Sequence, residues 1–193
     1  MEYVSLKLTL IRHTSLQIAP GVCYGQTDVD VSVNFMQEVL ITQKKLSTMP
    51  IDAVFCSPLQ RCVKLAEALN LNNIRQDDRL KELHFGDWEM QAWDDIPRDY
   101  FDEWAQNYAH MPPPNGETFN QLQTRGIAFI NEILSQHHKQ HVLLVTHGGM
   151  IRALLAYVLS MELKSLFRFN IDYGSLTQLD FSGDSPKINF VNH

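Results

Sequence analysis

The sequence predicts an α/β fold: a three-layer sandwich with a mostly parallel central sheet, helices on both faces and a small helical cap insertion. Three short apolar runs, at residues 6–11, 51–56 and 142–146, have the length and composition of buried strands. Apolar residues at helical spacing come after each run. Strands that alternate with helices in this way favour parallel pairing with helices covering both faces.

The first strand, at residues 6–11, ends abruptly in Arg12 and His13, so we expect polar side chains at its carboxyl end. Residues 31–46 then place apolar side chains at roughly helical spacing, which indicates a helix. After the second strand, Ser57 is predicted to cap a helix, with Pro58 at the first helical position. The apolar face of this helix comprises Leu59, Cys62, Val63, Ala66 and Leu69, and Arg61 lies off that face.

The segment at 85–117 is predicted to be the cap insertion, because its aromatic residues are interleaved with acids and it contains the run Pro112-Pro113-Pro114. We expect its rings to pack mostly on one another, with one or two lining the mouth of a pocket. Residues 118–137 resume a helical pattern.

The third strand, at residues 142–146, reaches His147, and Gly148 opens the next helix. Runs at 175–181 and 187–191 have the composition of strands.

Length and composition indicate a single domain, 1–193, because 193 residues with 45% hydrophobic content can bury one sizeable core. A formal net charge of −6 offers no basic field for nucleic acid or an anionic membrane, so neither is expected as a partner. No apolar run suits a membrane span, and residues 1–5 show no signal-peptide start, so we expect a cytoplasmic location. The three cysteines form no C-x-x-C pair and are predicted to be free thiols.

Polar residues follow three of the predicted strand ends. They are Arg12 and His13, Ser57 with Arg61 beyond it, and His147. Ligands of open α/β sheets gather outside the carboxyl ends of the strands, so these side chains should converge on one pocket.

This pocket would contain the groups that phosphoryl transfer needs. A neutral imidazole accepts phosphorus through one ring nitrogen, while the other donates a hydrogen bond that sets the tautomer. Arginine forks hold the charged oxygens, and free N–H groups at the helix start after His147 favour an anion. Glu82 is the predicted proton donor, since repulsion from a bound phosphate should keep its carboxyl protonated near neutral pH.

Four segments resemble the signature segments of the histidine phosphatase superfamily, which has the phosphoglycerate mutase-like fold. They are Leu10-Ile11-Arg12-His13-Thr14, Ser57-Pro58-Leu59-Gln60-Arg61, Glu82-Leu83-His84-Phe85-Gly86-Asp87-Trp88-Glu89 and Val145-Thr146-His147-Gly148-Gly149. The resemblance implies that His13 is the phosphorylated nucleophile and Glu82 the acid, with no metal or cofactor. It also implies that Arg12, Arg61 and His147 complete the phosphate pocket.

The segment Gly21-Val22-Cys23-Tyr24-Gly25-Gln26-Thr27-Asp28 is similar to one in α-ribazole phosphatases of cobalamin synthesis. This similarity makes α-ribazole 5′-phosphate the first candidate among small phosphorylated metabolites. Further contacts to substrate or phosphate are predicted from Gln26, Thr27, Ser57 and Gly148. The chain departs from the family pattern at Thr14 and Met90, where glycine is usual or common.

Other functions remain open at this point. A phosphoglycerate mutase would return the phosphoryl group to a second hydroxyl, although the short acidic insertion favours hydrolysis. A silent phospho-ligand binding protein would need neither His13 nor Glu82. A metallohydrolase would use the two histidines, although Arg12 and Arg61 already supply the charge of a metal. The oligomeric state is also open, a homodimer included.

Several residues that resemble catalytic groups are interpreted as structural. His84, His137 and His138 are interpreted as exposed or capping side chains. The stretch from Cys56 to Arg61 is one residue short of the C-x5-R loop of cysteine phosphatases, and its proline removes a backbone donor that such a loop needs.

Overall fold

The computed structural model describes residues 6–137 and 140–193, and these residues form one mixed sheet of 6 strands. The strands are β1 (Leu6–Arg12), β2 (Ala53–Cys56), β3 (Arg75–Gln76), β4 (Gln140–Thr146), β5 (Leu176–Asp180) and β6 (Lys187–Phe190). Their spatial order is β3-β2-β4-β1-β5-β6. The first four are parallel, while β5 runs antiparallel to β1 and β6 antiparallel to β5. The predicted mostly parallel sheet is confirmed.

Helices cover both faces of this sheet, as the sequence predicts. They are α1 (Phe35–Leu46), α2 (Gln60–Ala68), α3 (Arg98–Asn107), α4 (Phe119–Gln136) and α5 (Gly148–Val158). Val142 and Leu144 of β4 belong to a hydrophobic cluster with α4 and α5. Leu143 and Val145, which alternate with them, belong to a second cluster with α1 and α2. Successive strand side chains point to opposite faces, so the two clusters form the two interfaces of the three-layer sandwich.

Helices α4 and α5 pack closely because position 126 has no side chain. A Cβ on Gly126 would lie 2.8 Å from Sδ of Met150 and 3.1 Å from Cδ2 of Leu154. The glycine costs about 1 kcal/mol of helix propensity relative to alanine. The close contact between the two helices offsets that cost.

The segment 85–117 contains α3 and 3₁₀ turns at Gly86–Trp88 and Trp93–Asp95. Its rings pack around Trp104, whose ring centroid lies 5.2 Å from that of Trp88 and 6.4 Å from that of Trp93. The Trp88–Trp104 pair is T-shaped, an arrangement that the quadrupoles of aromatic rings favour. The prediction that these rings pack on one another is confirmed.

The predicted start of α2 is wrong. The helix begins at Gln60, and Leu59 occupies the cap position in an extended conformation with φ −66° and ψ 133°. Ser57 lies outside the helix, where its Oγ is 2.7 Å from Nε2 of His147. The Ser57 hydroxyl, which was predicted to cap the helix, therefore bonds to His147, a residue far away in sequence.

Helix α1 also starts later than predicted, at Phe35 and not at Val31. Val31 forms an antiparallel bridge with Leu16 instead. Strand β3 was not predicted, because two residues carry no periodic pattern. Each of these differences depends on pairing between distant segments, which no local pattern reports.

Helix α4 ends at Gln136, and His137 is its C-cap residue, with Nδ1 2.6 Å from Oε1 of Gln140. His137 is thus at the cap position, but its backbone N–H and not its side chain bonds the helix, donating to the carbonyl of Ile133. His138 and residues 1–5 lie outside the described residues. None of the helices in the described ranges has the length and apolar character needed to cross a membrane.

Candidate active site

The carboxyl ends of β1, β2 and β4 bring two histidines together. His13 directly follows β1, and His147 lies between β4 and α5. Their ring centroids are 5.2 Å apart in a T-shaped arrangement, and their exposed fractions are 1% and 0%. Ser57, which follows β2, contacts His147. The three strand ends therefore meet, and their polar side chains share one buried site.

The ring of His13 is held in one tautomer. Its Nδ1 lies 2.7 Å from the carbonyl oxygen of Thr14. A carbonyl oxygen can only accept, so Nδ1 carries the proton and Nε2 presents a lone pair. Burial, and then the charges of Arg61 and Arg12, lower the pKa of His13 well below its usual value. The ring is therefore neutral at pH 7, with Nε2 free to act as a nucleophile.

His147 is held in the opposite tautomer. Nε of Arg61 donates to Nδ1 of His147 at 3.3 Å, so Nε2 carries the proton and donates to Oγ of Ser57. Burial, followed by the charge of Arg61, lowers the pKa of His147 well below its usual value. This second imidazole is also neutral and offers an N–H group rather than a lone pair at Nε2.

Arg61 is fully buried, which excludes its interpretation as a surface helix residue. Its Nη1 donates to the carbonyl of Thr27 at 3.0 Å and its Nη2 to that of Gly25 at 2.5 Å. The guanidinium therefore connects α2 to the loop at residues 25–27.

Glu89, which has no predicted role, also holds the loop at residues 25–27. Its carboxylate accepts backbone N–H groups from Gln26 at 2.9 Å and Thr27 at 2.5 Å, as well as the Thr27 hydroxyl. Burial raises the pKa of Glu89, but these hydrogen bonds outweigh it and the pKa is lowered. Gln26 donates its side-chain amide to the carbonyl of Glu82 at 3.0 Å. In this structure both predicted loop contacts, Gln26 and Thr27, bind protein groups.

Glu82 lies against the start of α5. Its Oε2 accepts the N–H of Gly149 at 3.0 Å, and its Oε1 accepts the N–H of Leu83 at 2.9 Å. A Cβ on Gly149 would lie 2.2 Å from Oε1 of Glu82. The glycine leaves room for the carboxylate in this position against the helix start.

Arg12 lies next to Gly148 and is held by contacts that the sequence did not predict. Its Nη1 donates to the carbonyl of Ile171 at 2.6 Å, and its guanidinium lies 3.8 Å from the ring centroid of Tyr173. The hydroxyl of Tyr173 is 2.6 Å from that of Tyr24. Nε of Arg12 is buried and has no hydrogen-bond partner in the described part of the chain. An unpaired buried donor of this kind points to a missing acceptor.

Thr14 is buried, and its backbone is not in the left-handed region that would require glycine. Met90 does adopt that conformation, with φ 68°, and its side chain is exposed. The chain therefore accepts a side chain at both positions, with strain only at the second.

The arginines of this site have no carboxylate partners. Within residues 6–137 and 140–193, neither Arg12 nor Arg61 forms an ion pair. In the same residues no three side chains of His, Cys, Asp or Glu are grouped so that they could hold a metal ion. Partly buried guanidinium groups without counter-ions create a site for an anion.

The nearby cysteines do not share this chemistry. Cys23, Cys56 and Cys62 are free and buried, as predicted. Burial, with a smaller effect of Glu67, raises the pKa of the Cys56 thiol to about 12. Nucleophilic cysteines are thiolates with lowered pKa values, so Cys56 is a structural residue.

The two buried histidines predict a stability that depends on pH. Their pKa values in the folded protein lie well below the value of 6.5 expected in the unfolded chain. Below pH 6.5 the unfolded chain therefore binds protons that the folded chain does not. The free energy of unfolding decreases as the pH is lowered. We expect a loss of about 1 kcal/mol per histidine between pH 6.5 and 5.5, measured by urea unfolding followed through tryptophan fluorescence.

The control for this prediction is the slope of stability against pH in two variants. His147→Gln should have a shallower slope than the unsubstituted protein, whatever its absolute stability. His110→Gln, at an exposed histidine, should keep the original slope. Equal slopes in all three proteins would contradict the burial of a neutral His147.

The fold is that of a superfamily of phosphatases. The model of the histidine phosphatase superfamily (branch 1) matches residues 8–193, and the chain belongs to that superfamily, as its four segments predict. The interpretation of the chain as a phosphatase enzyme is thereby confirmed.

Curated relatives match nearly the whole chain. A putative phosphoserine phosphatase 2 of Hydrogenobacter thermophilus is 26% identical, over 96% of this chain and 95% of its own. An adenosylcobalamin/α-ribazole phosphatase of Salmonella typhimurium is 28% identical, over 97% of this chain and 96% of its own. The crystal structure of a putative α-ribazole-5′-P phosphatase from Escherichia coli has a TM-score of 0.87 at 26% identity, covering 98% of this chain and 97% of that one.

Proposed function

We propose that this chain is a phosphomonoesterase that carries the phosphoryl group of a small phosphorylated metabolite on Nε2 of His13 before transferring it to water. One observation carries the proposal: two guanidinium groups that form no ion pair within the described residues lie beside two neutral imidazoles at the carboxyl edge of the sheet. Charges that are partly removed from water without a counter-ion cost free energy, so an anionic ligand completes the site.

In the first step, Nε2 of His13 forms a bond to phosphorus while the bond from phosphorus to the ester oxygen breaks. The carboxyl of Glu82 gives its proton to the departing oxygen, so the alcohol leaves neutral. The proton on Nδ1 stays with the ring, held by the carbonyl of Thr14. This bond keeps the imidazole oriented as positive charge develops on it.

In the second step, water attacks the phosphohistidine. The Glu82 carboxylate takes a proton from the water, the nitrogen–phosphorus bond breaks and its electron pair returns to Nε2. Inorganic phosphate leaves, and both residues regain their starting forms. One carboxyl thus serves as acid and then as base.

Positive charge stabilises the three equatorial oxygens in both steps. Nε of Arg12 is a buried donor that such an oxygen would satisfy. Each Nη atom of Arg61 uses one N–H on a loop carbonyl and retains a second for phosphate. These fixed donors provide the electrostatic stabilisation on which phosphoryl transfer depends.

Two small phosphorylated metabolites are candidates for the substrate. The loop similarity around Gly25 and the relatives in Salmonella and Escherichia support α-ribazole 5′-phosphate as the first candidate. The relative in Hydrogenobacter supports phosphoserine. Phosphoglycerate mutase-type transfer is the alternative for the reaction itself.

The test is release of inorganic phosphate from p-nitrophenyl phosphate in the presence of a chelator. We expect turnover to persist with chelator, because guanidinium groups supply the positive charge. Loss of turnover with chelator and its recovery with a divalent metal would support the metallohydrolase instead. Absence of phosphate release from every phosphomonoester would support a binding protein, and formation of isomeric phosphoglycerates without phosphate release would support a mutase.

A further inference from the structure

A cavity of about 230 Å³ lies beside Glu82 and has no role in the steps above. Aromatic rings line much of it, those of Phe85, Trp93, Phe119 and Phe167. Arg12, Glu82 and Arg152 are the charged residues in its wall. Since Glu82 is the proposed proton donor to the leaving oxygen, this cavity is where the leaving alcohol would extend from the phosphate.

Arg152, in the wall of this cavity, is a charged group that has no part in the proposed steps. It lies on α5, and its Nε donates to the carbonyl of Phe169 at 3.0 Å, which sets the direction of the guanidinium. Nη1 and Nη2 make no hydrogen bond or ion pair within the described residues. Burial, followed by the charge of Arg12, lowers the pKa of Arg152. The guanidinium of Arg152 is therefore partly removed from water beside another cation.

Two guanidinium groups converge next to Gly148. A Cβ on Gly148 would lie 3.0 Å from Nη1 of Arg152 and 3.2 Å from Nε of Arg12. Neither guanidinium forms an ion pair in the described part of the chain. Like charges at this spacing repel, although Glu82 and Asp172 favour the charged form of Arg152. Anionic oxygens in the adjoining space would stabilise both guanidinium groups.

The two arginines do not share one role. Arg12 borders both the histidine pair and the cavity, and it contributes to lowering the pKa of His13 together with Arg61. Arg152 borders the cavity and not the histidines, and its charged neighbours are Arg12, Glu82 and Asp172. The position of Arg152 is therefore beyond the phosphate, on the side of the leaving group.

We infer that Arg152 binds a carboxylate on the leaving alcohol, so that the preferred substrate is a phosphorylated hydroxy acid. This inference rests on the proposed function. With Nε engaged by Phe169, the edge formed by Nη1 and Nη2 is free to hold a planar carboxylate through two parallel hydrogen bonds. The inference favours phosphoserine, which has such a group, over α-ribazole 5′-phosphate, which has none.

The test compares two substrates that differ only by the carboxylate, O-phosphoserine and phosphoethanolamine. We expect kcat/KM of the unsubstituted protein to be about 10- to 100-fold higher for phosphoserine. Arg152→Met, which keeps the apolar stem but not the charge, should lose a similar factor on phosphoserine and change little on phosphoethanolamine or p-nitrophenyl phosphate. Arg152→Lys should retain part of the preference, and Arg168→Met, at an exposed arginine of the following segment, should retain all of it.

Failure of this inference is distinct from failure of the proposed function. If p-nitrophenyl phosphate is hydrolysed but the protein does not prefer phosphoserine, or prefers α-ribazole 5′-phosphate, the carboxylate site is wrong and the phosphatase stands. Equal losses on both substrates in Arg152→Met would assign Arg152 to the phosphate or to folding. If no substrate turns over, calorimetric affinities for the same two compounds decide: equal affinities contradict the site, and tighter binding of phosphoserine supports it.

Discussion

Replacing His13 by alanine is expected to lower kcat for phosphomonoester hydrolysis by at least about 10⁴-fold, because removal of a nucleophile leaves only binding and electrostatic stabilisation. Because Nδ1 of His13 donates its proton to the Thr14 carbonyl, Nε2 of His13 has a free lone pair. The neighbouring imidazole of His147 instead carries a proton on Nε2. His147 therefore cannot substitute for the missing ring. The measurement is phosphate release under saturating p-nitrophenyl phosphate, with thermal unfolding of both proteins recorded in parallel.

A chemical experiment identifies the intermediate. Protein denatured in alkali during turnover of a labelled substrate should retain phosphate, and brief treatment with acid should release it, as expected for phosphohistidine. His110→Ala, at an exposed histidine in the cap segment, should keep both the rate and the trapped phosphate. Trapped phosphate that survives acid, or that persists in His13→Ala, would disprove the proposed intermediate.

Replacing Glu82 by glutamine should have an effect that depends on the leaving group. An alkoxide needs a proton in order to leave, whereas p-nitrophenolate is stable without one. We expect kcat/KM to fall by about 10²- to 10⁴-fold for an alkyl phosphate such as phosphoserine and much less for p-nitrophenyl phosphate. Since kcat/KM reports the first irreversible step, this comparison isolates proton transfer during phosphorylation of the enzyme.

The control for that comparison is Glu103→Gln, at an exposed position on α3. It should leave both rates unchanged. Equal losses on the two substrates in Glu82→Gln would mean that the carboxylate acts by holding Gly149 and Leu83 and not by giving a proton. A structural role of that kind would also lower the midpoint of thermal unfolding.

Much of the fold could be predicted because its signals are local. Apolar runs of strand length and helical spacing extend over several residues, so β1, β4, α4 and α5 were recognisable without their partners. The start of α2 was not, because the hydroxyl of Ser57 bonds to His147, 90 residues away in sequence. Caps and short bridges depend on such long-range contacts, and a propensity cannot report them.

Some residues of the site could be predicted from the sequence and others could not. His13, Arg12 and His147 could be located because each directly follows or ends a strand, where α/β sheets place their ligand groups. Tyr173 and Arg152 could not, because neither lies at a predicted strand end, and their importance comes from stacking on Arg12 and from lining the cavity beside Glu82. Glu89 was visible within a signature segment, but only the structure shows that it accepts the N–H groups of the 25–27 loop.

The glycine at position 149 bears on how the proton donor is aimed. A Cβ there would lie 2.2 Å from Oε1 of Glu82, and the end of this flexible side chain would have to rotate to make room. A homologous chain with a side chain at this position should therefore hold its acid in another rotamer, while the two imidazoles and Arg61 stay where they are.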